Sequence, residues 1–163
     1  MIILGIDPGI ATTGWGIIKN QDSKIKLQDY GCIKTDAKSK FPVRLDIIHK
    51  ELKKIINRYK PDVVAVEELF FAKNVKTAIN VGHARGVVIL AAVESSVPVM
   101  EYTPLQVKQA LVGYGRAEKR QMQNMLKVLL GLDKIPKPDD ASDALAVAFC
   151  HINSEKVSRI LNK

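Results

Sequence analysis

A chain of 163 residues that is 47% apolar and 26% charged can bury a sizeable core in one domain, and no stretch approaches the ~18 uninterrupted apolar residues of a membrane span. Its start lacks a basic n-region and a cleavage site, so a cytoplasmic location is expected, and Cys32 and Cys150 fit no metal-ligand spacing and read as reduced apolar residues. Net charge is +8 and uneven: residues 103–137 hold seven basic and two acidic groups, which suits a polyanionic partner or simply a lysine-rich solvated surface.

Ile2-Ile3-Leu4-Gly5-Ile6 is a short apolar run that ends in Asp7 and the turn pair Pro8-Gly9. It reads as a strand buried on both faces. Asp7 then sits near the end of a central strand, where it either ties down the turn's amides or binds a cation. A second strand resumes over Gly14–Lys19, and a third runs from Ile25 to Thr35. Short turns join the three, so an antiparallel meander is expected.

From Phe41 to Tyr59 apolar residues recur at spacings of three and four, which predicts an amphipathic helix stopped by Pro61-Asp62. Val63-Val64-Ala65-Val66 is a further buried run, ending in Glu67 and Glu68. A strand–helix–strand crossover favours parallel pairing with the first strand, which would bring Asp7 and Glu67 to one sheet edge. A loop follows over Leu69–Asn74, in which Phe70 and Phe71 are either a core pair or include a stacking platform for a base.

A long helix is predicted over Val75–Ser95, where Ala78, Gly82 and Gly86 give one face without bulk, suited to the sheet or to a second subunit. Pro98–Tyr102 reads as a strand, and Thr103-Pro104-Leu105-Gln106 as a strong helix start. That helix carries Lys108 and ends at Gly113; another, from about Glu118 to Leu130, carries Lys119 and Arg120. After a proline-containing connection, a last helix starts near Asp139 and runs through Cys150, with Asp139 as its expected cap. The polar residues beyond His151 are expected to fray, which places a single domain over 1–154 and a tail over 155–163.

Asp140 and Asp143 share one face of the last helix. The helix dipole accounts for acids in the first turn, but poorly for Asp143 within an otherwise apolar stretch. If Asp7, Glu67, Asp140 and Asp143 converge, their mutual repulsion calls for divalent cations, and an all-oxygen set favours Mg²⁺ or Mn²⁺. A pair of such ions suits phosphodiester hydrolysis. His49, His83 and His151 are scattered and form no ligand cluster.

Leu4–Gly9, Val66–Asn74, Gly82–Val87, Gln106–Gln109 and Asp140–Ala146 together, and in order, resemble the RuvC family of bacterial Holliday junction resolvases. The resemblance implies an α/β ribonuclease-H-like fold with a five-stranded mixed sheet flanked by helices. It also implies a homodimer that cuts four-way junction DNA by paired symmetric nicks in recombination and repair, leaving 5′-phosphate and 3′-hydroxyl ends. The family's metal ligands match Asp7, Glu67, Asp140 and Asp143, and its base-stacking phenylalanine matches Phe70. Lys108 and Lys119 match basic residues of its DNA-binding and catalytic surface, and Arg116 and Arg120 are expected to share that surface. The long helix with Gly82 and Gly86 corresponds to its dimer interface, and the branch-migration proteins RuvA and RuvB are implied as partners.

Three rivals are weighed against this reading. Asp7-Pro8-Gly9 with Thr12-Thr13-Gly14 also resembles the first phosphate loop of actin-like ATPases, but that machinery needs two lobes. A non-catalytic DNA-binding module would use the acids only as caps. A ribonuclease H acting on RNA–DNA hybrids would have to read the 2′-hydroxyl.

Overall fold

The computed structural model describes residues 1–21, 24–68 and 75–161. β1 (Ile2–Asp7), β2 (Thr12–Gln21) and β3 (Lys24–Lys34) form the expected antiparallel meander. α1 (Phe41–Tyr59) crosses over to β4 (Val63–Glu67), which pairs parallel with β1. α2 (Val75–Val93) leads to β5 (Val99–Tyr102), parallel with β4. The result is a five-stranded mixed sheet in the order β3-β2-β1-β4-β5. Three helices complete the chain: α3 (Pro104–Val112), α4 (Lys119–Leu129) and α5 (Asp139–Leu161). α5 stays helical to Leu161, so the frayed tail expected beyond His151 is helical up to that residue.

Strand parity decides which side chains meet which layer. Leu4, Ile6, Val64 and Val66 join one buried cluster with Ile48, Leu52 and Ile56 of α1 and Ala84, Val88, Ala91 and Ala92 of α2. Ile3, Val63 and Ala65 join the opposite cluster, with Val107 and Leu111 of α3, Leu126 of α4 and the apolar face of α5. By the same alternation, Asp7 and Glu67 fall on the α5 side of the sheet.

α5 lies unusually close to that sheet because glycine lets it. A methyl group on Gly5 would come within 2.0 Å of the Ala144 carbonyl oxygen, and one on Gly14 within 2.0 Å of the Asp140 carbonyl oxygen. The helix answers with small buried residues, Ala141, Ala144 and Ala148. Backbone therefore packs nearly on backbone, and the start of α5 is pressed against the end of β1.

α3 begins as expected: Thr103 Oγ1 accepts the Gln106 amide at 3.2 Å, and Gln106 Oε1 accepts the Thr103 amide at 2.8 Å. The cap of α5 differs from expectation. The Pro138 carbonyl accepts the Ala141 and Ser142 amides at 3.1 and 3.2 Å, and Asp139 is the first helical residue. Its carboxylate is engaged elsewhere, by Lys137 and Gln123.

Candidate active site

The acids converge for reasons traceable to each element. Ile6 of β1 pairs with Val66 of β4, so Asp7 and Glu67 stand one step further along two parallel neighbours. Gly14, the antiparallel partner of Asp7, is the residue whose missing side chain admits the Asp140 backbone. Asp143 follows one turn later on the same face of α5. Sheet register and a glycine seat thus bring acids from three separate stretches together.

The electrostatics record that proximity. Burial, then repulsion from Glu67, Asp143 and Asp140, pushes the Asp7 carboxyl up to about 7, against the pull of Lys119. Glu67 is raised by burial and by Asp143, while Lys108 and Lys119 draw it back. Asp143 is raised by burial, with the Lys119 hydrogen bond acting the other way. Such clustering of raised carboxyl groups marks a site that favours added positive charge. Among the described residues, no group of three or more acids, histidines or cysteines is gathered closely enough to hold a metal ion as it stands.

Two lysines border the acids. Lys119 Nζ donates to Asp143 Oδ2 at 3.0 Å and lies 3.5 Å from Asp139 Oδ2. Burial lowers the Lys119 ammonium, but Asp143 and Asp139 outweigh it, so the group is raised overall and stays protonated. Lys108 of α3 lines the same cleft of about 220 Å³, with Glu67, Lys119, Ser142 and Asp143. Lys119 and Arg120 are the first residues of α4, where the helix dipole disfavours cations. Lys119 is compensated by the two aspartates. Arg116 and Arg120 are exposed on the same loop and helix start. Phe70 lies outside the described residues.

Three groups were not foreseen from sequence as part of this surround. Asp139 Oδ1 accepts from Lys137 Nζ at 2.7 Å and from Gln123 Nε2 at 3.2 Å. That network braces the carboxylate next to Lys119. Gln123 is a buried polar residue facing the cleft from α4, a feature that only the packing reveals. The histidines do what scattered histidines do: His49 bonds Glu94 at 2.9 Å, and His151 Nδ1 is 2.7 Å from the Tyr102 hydroxyl in the core. His83 packs edge-on to Phe41.

Comparison with known proteins bears on this arrangement directly. The family model described as crossover junction endodeoxyribonuclease RuvC matches residues 3–151. The chain belongs to the RuvC family. The RuvC of Ruminiclostridium cellulolyticum is 56% identical over 161 residues, 99% of this chain and 97% of that relative. The Thermus thermophilus RuvC structure superposes with a TM-score of 0.91 at 38% identity, covering 97% of both chains. T. thermophilus RuvC in complex with a Holliday junction substrate gives 0.92 at 38% identity, covering 97% of this chain and 96% of that one. The fold is therefore the ribonuclease-H-like fold of the RuvC resolvases, as the motifs implied.

Proposed function

We propose that the four carboxylates form the catalytic centre of this Holliday junction resolving endonuclease, which hydrolyses phosphodiesters by paired symmetric nicks. The observation that carries it is the meeting of Asp7, Glu67 and the α5 acids beside Lys119, in a chain of the RuvC family. The two-lobed ATPase and the non-catalytic binding module are not favoured, since the relatives matched along nearly the whole chain are named nucleases.

The donor set fits hard divalent ions, because it is all oxygen and burial together with neighbouring acids holds the Asp7, Glu67 and Asp143 carboxyl groups high. Asp7, Glu67, Asp140 and Asp143 would hold Mg²⁺, or Mn²⁺ in its place, as two ions per site. Such a pair, when bound, supplies an activated water and charge stabilisation at phosphorus. The protein's own groups do the rest. Lys119 and Lys108 hold positive charge at the cleft for the scissile phosphate and the charge that develops on its oxygens. Asp139 keeps Lys119 aligned through a second, weaker ion pair. The expected products carry 5′-phosphate and 3′-hydroxyl ends. Phe70, Arg116 and Arg120 are proposed to add base and phosphate contacts.

Paired nicks on opposite strands need two centres. α2 offers the surface for a second copy: Val75, Ile79, Leu90 and Val93 are exposed apolar residues at helical spacing, and Gly86 has open space around it. Its sheet-facing residues are others, so the smooth face is turned outward. The unit is read as a single domain over 1–154 that acts in the cytoplasm with RuvA and RuvB. No described helix is long and apolar enough to cross a membrane.

The proposal separates chemistry from binding. Asp7→Asn, Glu67→Gln and Asp143→Asn should each cut cleavage of a synthetic junction by at least about a hundredfold, since each removes a ligand of the metal pair. Junction binding in a mobility-shift assay should persist, because the basic surface is untouched. Variants that fold, bind and still cleave at the wild-type rate would sink the assignment.

A further inference from the structure

The loop between α3 and α4 carries an aromatic side chain that the fold does not bury. Tyr114 is 48% exposed and belongs to neither apolar cluster. Gly113 before it closes α3 in the left-handed region, at φ 82°. A methyl group on Gly115 after it would lie 2.2 Å from Leu105 Cδ1, so the loop rests directly on α3. The ring is also tethered. Its hydroxyl donates to Gln121 Oε1 at 3.1 Å, and the same oxygen accepts the Glu118 amide at 2.9 Å in the capping box of α4. An exposed aromatic held in place on both sides is preorganised for contact, because little freedom remains to be lost.

Its surroundings are cationic. Arg116 and Arg120 are exposed two and six residues further along, and the chain passes through Ala117 and Lys119 into the cleft that Lys108 lines from α3. Glu118 is the only acid between residues 104 and 132, and its backbone amide donates to Gln121 Oε1 at the start of α4. An aromatic face among phosphate-binding cations is the combination that holds a nucleic-acid strand whose bases are accessible.

We infer that Tyr114 is a DNA-contact residue whose ring stacks on a nucleobase of the strand entering the cleft between Lys108 and Lys119. The inference rests on the junction-resolvase reading and adds to it. Every base has a π-face, so the contact anchors the strand without selecting a sequence. Tyr114 would thereby fix the strand at the rim while the lysines hold its phosphates.

The test compares wild type, Tyr114→Ala, Tyr114→Phe and Tyr114→Leu for binding to a four-way junction without divalent metal, across a salt series, and for cleavage with metal. Tyr114→Ala is expected to weaken binding on the order of 5- to 100-fold. The slope of log affinity against log salt stays unchanged, because no phosphate contact is lost. Its KM rises while kcat moves far less. Tyr114→Phe keeps most of the wild-type affinity, since it retains the stacking ring and loses only the tether to Gln121. Equal affinity of wild type and Tyr114→Ala overturns the inference. So does an equal loss in Tyr114→Ala and Tyr114→Phe, or an altered salt slope, since either assigns the residue to shaping the basic loop. If Tyr114→Ala melts early, Tyr114→Leu decides: wild-type affinity there contradicts stacking, and loss with a wild-type melting temperature supports it. A wild-type protein that binds no junction overturns the resolvase reading, and this inference with it.

Discussion

Asp7 is held where its charge is least welcome. Burial and three neighbouring acids push its carboxyl from 3.8 up to about 7, so near neutrality the metal-free fold retains a proton that the unfolded chain has released. The sign follows from linkage. Between about pH 4 and 7 the folded state binds more protons, so stability falls as pH rises through that window. Glu67 and Asp143 are raised too and act in the same direction, while burial lowers the His151 imidazole and opposes them below about pH 6.5, one group against three. One such carboxyl lowers stability by at most about 1.4 kcal/mol for each pH unit crossed, so the loss across the window amounts to a few kcal/mol. Thermal melting of metal-free protein should show the melting temperature dropping from pH 5 to pH 8. Asp7→Asn should flatten the profile and melt higher than wild type at pH 8. A wild-type profile that is flat, or that rises over this range, would contradict the assigned environment. An inactive variant that is more stable than its parent is what a strained functional carboxylate predicts.

At the scale of elements, two helices matter most. α5 brings Asp140 and Asp143 to Asp7 only because Gly5 and Gly14 leave its backbone room, a contact that neither stretch reveals by itself. The motif pattern singled out the four acids in sequence, and strand parity made the common face of Asp7 and Glu67 derivable. The glycine seat was not legible, because which residues a strand glycine admits depends on what packs across it. The cap of α5 was misread for a related reason: Asp139 has the right chemistry for a cap, but Lys137, Gln123 and Lys119 compete for its carboxylate. α2 shows the opposite case. Its small-residue face was visible in Ala78, Gly82 and Gly86, but sequence alone left open whether sheet or subunit would take it. Packing answers in part, since Ala84, Val88, Ala91 and Ala92 take the sheet and Leu90 and Val93 remain exposed. If that stripe joins two copies, Leu90→Glu should shift the protein from dimer to monomer in sedimentation at micromolar concentration, because each copy would bury an unpaired charge in the interface. A wild-type protein that sediments as a monomer, or a Leu90→Glu variant that remains dimeric, would remove α2 as the interface.

For the molecule as a whole, charge and shape point the same way. The net charge of +8 is carried disproportionately by the α3–α4 region that borders the cleft, and Glu67 and Asp143 line that cleft. A polyanion is drawn to the rim, and the cations that its hydrolysis needs are drawn to the centre. Fold class and element order were readable from the chain because each rests on local pattern or ordered motifs, and the same motifs single out the four acids proposed as the site. The Lys119–Asp143–Asp139 bridge and the tethered Tyr114 were not, because both depend on how α4 and its loop meet α5 and α3. The measurement that tests the central claim most directly is cleavage of a synthetic mobile four-way junction with Mg²⁺, with the nick positions mapped on all four strands. The account predicts paired nicks at symmetric positions on two opposing strands, with linear duplex of the same sequence cut far less. Indifference to the junction, or degradation of an RNA–DNA hybrid in its place, would contradict it.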